Sequence, residues 1–287
     1  MSGGYLEGFK KIYSGKNVLK SHLFLFALFV GLSIPSVIAT LNVNSTNKEQ
    51  LYNYIYIQHP VLGIVTILFS LLLNLYCVHF IHKALKFQIW KDTEQNEERI
   101  KAFPIMPDIN FNFFKPLGKC ILFWIIWLIY ASIAPGIIIL LFAVPYGPAI
   151  VHKFISFTVI IYALFLAFTM PYVVTKFAKN FSVKEVLSPL ITFDIIKRSF
   201  KETAIVFLKY IGILILFISA ILAITIMFLI FISIILAVMK TANSAFIFKS
   251  PAILTIMTAI YMYLGSIIGF VFYYVIAEIY HAKIEKN

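Results

Sequence analysis

The chain has 287 residues, of which 61% are hydrophobic and only 13% are charged, and its mean hydropathy is +0.94. These values lie far from the averages of soluble domains and exclude an ordinary water-soluble protein. The formal net charge of +12 comes from lysines and arginines in short clusters between apolar runs, a pattern that argues against a nucleic-acid-binding surface.

Six apolar runs are long enough to cross a hydrocarbon core of roughly 30 Å, which requires about 20 residues of α-helix. The sequence therefore predicts an all-α, polytopic membrane helical bundle that forms one transmembrane domain over residues 1–287. We expect its six transmembrane helices to form three hairpins. The predicted spans are 22–42, 60–82, 120–143, 154–175, 210–238 and 252–278.

The connecting segments predict the orientation, because cytoplasmic loops keep an excess of lysine and arginine. Twenty of the 24 basic residues fall in the N-terminal segment, the loops 83–119 and 176–209, and the C-terminal tail. We therefore predict a multipass protein of the cell (plasma) membrane with both termini in the cytoplasm. In the second loop, residues 194–201 place Ile196 and Phe200 on one face beside lysines, which predicts a cytoplasmic interfacial helix.

The second and sixth spans carry the polar residues that suggest chemistry. Asn74 is the most polar residue well inside a span, and we expect it to face other helices rather than lipid. His79 and His82 lie at the cytoplasmic end of the second span, and Glu278 and His281 lie at the matching end of the sixth. Each pair has the i,i+3 spacing that puts two ligands on one helix face, so together they could hold zinc or a di-metal centre if the helix ends touch. We favour the interpretation that all four are amphipathic residues at the headgroup level with no metal, and a metal site is the alternative.

The sixth span also contains a glycine motif. Gly265 and Gly269 form a GxxxG pair, which allows helix backbones to approach closely, and Ser266 is placed to hydrogen-bond across such a contact. We predict helix packing through this face. Packing within one chain is the favoured use, and dimerisation is the alternative.

The sequence contains no glycine-rich phosphate loop, nucleophile elbow or zinc-protease helix, and no charged side chain near the middle of a predicted span. The absence of these motifs and charges favours a non-enzymatic scaffold or a subunit of a membrane complex. Two alternatives stay open: a permease-like subunit of an ATP-driven exporter, and a metal-dependent membrane enzyme acting on lipid. The expected partners are membrane lipids, with anionic headgroups at the basic loops, and a protein such as an ATPase subunit. No nucleic acid and no cofactor are expected, with zinc or a di-metal centre as the alternative.

Two short motifs of the chain are similar to motifs of a known family of membrane proteins. The stretch Phe103–Asp108 (FPIMPD) precedes a long apolar span, and Phe193–Phe200 (FDIIKRSF) precedes the fifth. The chain resembles a family of uncharacterised prokaryotic multipass membrane proteins, in which a proline-acidic stretch comes before a membrane-spanning hairpin. The resemblance implies a membrane-embedded fold and carries over no catalytic or binding residue.

Overall fold

The computed structural model describes residues 4–15, 17–43, 48–142, 149–184, 189–238 and 251–285. All regular structure in these ranges is helical. The helices are α1 (Gly4–Ile12), α2 (Val18–Val43), α3 (Lys48–Tyr52), α4 (Pro60–Lys91), α5 (Glu97–Ala102), α6 (Leu117–Phe142), α7 (Ala149–Asn180), α8 (Pro189–Val238) and α9 (Pro251–Tyr280). Short π-helical turns at Asn53–Gln58 and His281–Glu285 and a 3₁₀ turn at Phe111–Phe114 connect or extend them.

Among the described residues, six helices are long and apolar enough to span a membrane, which confirms the predicted helical fold and the number of candidate spans. The three-hairpin arrangement and membrane insertion stay predictions. Residue 143 of the third predicted span and residues 185–188 of the predicted loop 176–209 lie outside the described residues. The six candidate spans are Val18–Asn42, Pro60–Lys91, Phe111–Ile129, Phe157–Asn180, Lys197–Ala223 and Pro251–Lys283.

Several helices run further than hydropathy alone predicts. α4 continues to Lys91 rather than ending near residue 82, so the first part of the predicted loop 83–119 is helical. α8 has 50 residues, about 75 Å at 1.5 Å per residue, whereas a hydrocarbon core is about 30 Å thick. Residues 194–201, predicted as a separate interfacial helix, are the first part of α8. No glycine or proline between Leu190 and Ile211 interrupts the backbone hydrogen bonding, and the side chain of Ile196 is outside the described residues.

One end of the bundle gathers most of the buried side chains. Tyr5 Oη donates to the carbonyl of Val206 at 2.8 Å, and Lys283 lies 3.4 Å from Glu202, so both ends of the chain meet α8 there. Large rings fill the interior between these helices, and truncating a buried phenylalanine typically costs about 3–5 kcal/mol. We call this region the basic end, and its described residues are 4–15, 17–22, 76–119, 170–184, 197–210 and 263–285. Its fully buried rings are Tyr76, Phe80, Phe87, Phe113, Tyr172, Phe177 and Tyr274.

α2 packs between α4 and α9 over most of its length. Gly31 is buried directly against the ring of Phe69 on α4, where a larger side chain would collide with the ring. Ser33 Oγ donates to the carbonyl of Thr255 on α9 at 3.1 Å, and Tyr76 Oη on α4 donates to the carbonyl of Ser21 at 3.1 Å. Ser33 Oγ also lies 3.0 Å from the carbonyl of Val30 in its own helix, whereas the bond to Ser21 gives the buried Tyr76 hydroxyl its partner.

The proline-containing stretch after α5 is part of the basic end rather than a loose loop. Ile105 and Met106 are buried, and Lys83 Nζ binds both the carbonyl of Met106 at 3.0 Å and Asp108 Oδ2 at 2.5 Å. Gly15 has φ of +101° and lies against Pro104, a position that only glycine adopts without strain. The stretch is therefore held to α4 and to the turn before α2.

Candidate functional site

α1 is docked on α9 through two glycines. A Cβ atom at Gly4 would lie 2.7 Å from Glu278 Oε2, and one at Gly8 would lie 3.0 Å from Tyr274 Cδ1. The Gly4–Gly8 pair has the same GxxxG spacing that the sequence analysis singled out in the sixth span. It lies in the short amphipathic helix before the first span, outside the apolar runs. Close backbone approach here brings the charged face of α1 against α4.

Charged side chains connect α1 to α4 and α5. Lys91 Nζ lies 2.7 and 3.0 Å from the two carboxylate oxygens of Glu7. Lys11, which is only 5% exposed, donates to the carbonyls of Ile100 and Lys101, the latter at 3.2 Å. The Lys11 ammonium also lies 4.3 Å from the centroid of the Phe87 ring, a cation–π distance. The carbonyls belong to the last turn of α5, where a cation complements the helix dipole.

Burial lowers the pKa of Lys11 to about 8, while the carboxylate of Glu7 acts in the opposite direction and the ammonium of Lys91 lowers the pKa further. Desolvation disfavours the charged form of a lysine, and its two carbonyl partners carry no formal charge to offset this. Lys11 nevertheless remains mostly protonated at pH 7. It is a buried cation that no carboxylate contacts directly in the described part of the chain.

These residues line a cleft of about 450 Å³, which we call the α1 cleft. Four lysines and two glutamates line it, so positive charge is in excess. Two buried polar atoms lie behind this wall, Gln88 Nε2 and Tyr274 Oη, and neither makes a hydrogen bond of regular geometry within the described ranges. The Tyr274 hydroxyl lies near Glu7 and Gln88, so these atoms adjoin the cleft. The cleft is lined by Glu7, Lys10, Lys11, Ser14, Lys91, Glu97, Ile100 and Lys101.

The two histidines of α4 bind separate backbone carbonyls. His79 Nε2 lies 2.8 Å from the carbonyl of Phe113 and stacks on that ring at 4.8 Å. His82 Nδ1 lies 2.6 Å from the carbonyl of Ala178 in α7. A hydrogen bond to a carbonyl requires the proton on that ring nitrogen. The two histidines therefore donate to carbonyls of two different segments and connect α4 to each of them.

Glu278 and His281 contact residues other than the two histidines of α4. Glu278 is half-buried and faces Gly4, and His281 Nε2 lies 2.6 Å from Asp92 Oδ2 just after α4. The ends of α4 and α9 therefore do touch. No group of three or more His, Cys, Asp or Glu side chains within the described ranges is close enough to share a metal ion. The zinc or di-metal centre stays a prediction.

The glycines of the sixth span have open surroundings. A Cβ atom at Gly265 or Gly269 would meet no atom within 4 Å in the part of the chain that the structure describes. Ser266 Oγ donates to the carbonyl of Tyr263 in its own helix at 2.7 Å. Asn74 is half-buried in α4, and its side chain takes part in none of the hydrogen bonds between described residues. Helix packing at these positions stays a prediction.

Comparison of the chain with protein-family models, curated proteins and solved structures gives no match. The resemblance to uncharacterised multipass proteins therefore stays an interpretation of two short motifs.

Proposed function

We propose that the chain is a non-enzymatic integral membrane scaffold, or a subunit of a membrane complex, with its basic end in the cytoplasm. Apolar side chains along α8 support membrane insertion, because Leu208, Leu216 and Met227 are at least 70% exposed and need an apolar solvent. The packed and hydrogen-bonded basic end supports a structural role, since its polar groups hold helices together.

The observation that carries the proposal is the set of exposed lysines at the basic end. An anionic leaflet attracts such side chains with about 1 kcal/mol for each lysine near its surface. A cytoplasmic basic end would therefore concentrate anionic lipid around the protein. The exposed lysines among the described residues of this end are Lys10, Lys20, Lys86, Lys101, Lys115, Lys119, Lys184, Lys197, Lys201 and Lys209.

Lipid selection tests this proposal. We expect the full chain, purified from a mixed bilayer, to retain phosphatidylglycerol several-fold over phosphatidylcholine, and to lose the preference in 1 M salt, where the Debye length is about 3 Å. Mass spectrometry of the gently solubilised protein measures the retained lipids and any copurified protein or metal in one preparation.

A triple variant Lys115→Gln, Lys119→Gln, Lys201→Gln is expected to weaken the preference. The matched triple arginine variant keeps the charge and is expected to retain it. A lipid composition that depends on neither salt nor these charges would contradict the proposal.

A further inference from the structure

The α1 cleft has the chemistry of an anion site. We propose that it binds a dianionic phosphate group, supplied either by a phosphate monoester headgroup of a lipid or by free phosphate. The lipid source rests on the proposed function, since it requires the basic end to lie at the membrane surface. The site itself rests on the residues of the cleft alone.

The charge balance of the cleft favours a dianion. Lys10, Lys11, Lys91 and Lys101 face Glu7 and Glu97, which leaves an excess of two positive charges. A phosphate monoester carries about −1.5 to −2 charges at pH 7, so it neutralises this excess, whereas a phosphodiester carries only one. A volume of about 450 Å³ also leaves room for the group to which the phosphate is esterified.

Lys11 is the residue that points most directly to a bound anion. Its ammonium is buried in the wall of the cleft, and its hydrogen-bond partners are the carbonyls of Ile100 and Lys101. Glu7 lines the same cleft but bridges to Lys91 at 2.7 Å. A buried ammonium that no carboxylate contacts is costly, and a phosphate oxygen would satisfy it.

Two buried polar side chains lie behind the wall of the cleft, next to Glu7. Gln88 Nε2 is a donor, Tyr274 Oη is able to donate, and both residues are at least 95% buried. Buried donors are almost always paired with protein or with a bound group. Neither residue lines the cleft, so ordered water or the Glu7 carboxylate would connect them to a bound phosphate.

The first arm of the test titrates inorganic phosphate into the detergent-solubilised full chain by calorimetry. We expect saturable binding that Lys11→Met and Lys10→Gln each weaken roughly tenfold, because a charge-assisted hydrogen bond is lost. Lys10 is exposed, so its variant tests the site even if Lys11→Met fails to fold. The matched control is Lys115→Gln, an exposed lysine of the same end that does not line the cleft, and its affinity should be unchanged.

The second arm uses nanodiscs that contain phosphatidate or phosphatidylglycerol in phosphatidylcholine. A preference for phosphatidate over phosphatidylglycerol that Lys10→Gln lowers and Lys115→Gln leaves unchanged would identify a lipid headgroup as the source, because the loss of an exposed lysine outside the cleft weakens the attraction to both anionic lipids alike. Binding in the detergent arm with the same variant pattern, and no preference for phosphatidate in the nanodiscs, would identify free phosphate as the source. Absence of binding in both arms, or equal weakening by all three variants, would overturn the inference. Retention of phosphatidylglycerol could persist in that case, so the failure of this site and the failure of the proposed function are distinguishable.

Discussion

Replacement of Gly31 by leucine is expected to push α2 away from α4 and to destabilise the protein by about 1–3 kcal/mol or more. Gly31 is buried, and any Cβ atom there would overlap the ring of Phe69. The ring is half-buried between the helices, so it has little room to move aside. The thermal unfolding midpoint of the purified protein in detergent measures the effect.

Gly265→Leu is the matched control, because it adds the same side chain to another apolar helix. A Cβ atom at Gly265 meets nothing within 4 Å in the described part of the chain, so the midpoint is expected to stay near that of the unaltered protein. If the two variants lowered the unfolding midpoint equally, the contact between α2 and α4 at Gly31 would not be more closely packed than the surroundings of Gly265.

Gly8→Leu is expected to detach α1 from the bundle while the candidate spans stay folded. A Cβ atom at Gly8 would lie 3.0 Å from Tyr274 and 3.3 Å from Val271, and a full leucine side chain does not fit. α1 has nine residues, too few for a stable isolated helix in water, so the detached segment would also unfold. Hydrogen exchange of the amides in Gly4–Ile12 should lose its protection.

The control for this prediction is Leu6→Gln. The side chain of Leu6 lies on the outer face of the same helix and is 61% exposed, so this variant should keep the hydrogen-exchange protection of α1. Because α1 forms one wall of the α1 cleft, Gly8→Leu should also abolish phosphate binding. Protection that survives in Gly8→Leu would show that α1 is not held by its glycine face.

The sequence predicted the six spans because hydropathy reports directly on the length of apolar helix. It did not predict where the helices end. α4 continues through Lys83, Lys86 and Lys91, since a helix that leaves the apolar layer keeps its backbone hydrogen bonds while one face turns polar. Charge lowers hydropathy at these positions without breaking the helix.

The candidate site was less accessible to sequence reasoning. The His79, His82 and His281 spacings were visible, yet each ring binds a different partner. The α1 cleft joins Glu7 to Lys91 and Lys11 to Ile100, contacts between residues 84 and 89 positions apart. The spacing of neighbouring residues in the sequence does not predict contacts over such distances along the chain. The glycine spacing of Gly4 and Gly8 was the one available signal.

The most direct test of the account is the position of the basic end relative to the membrane. In a background with Cys77 and Cys120 replaced, single cysteines at Gln95 (basic end) and Gln58 (opposite end), both exposed, are treated with a membrane-impermeant maleimide in intact bacterial cells. The account predicts that Gln58→Cys is labelled in intact cells and Gln95→Cys only after the membrane is permeabilised. Labelling of Gln95→Cys in intact cells would contradict it.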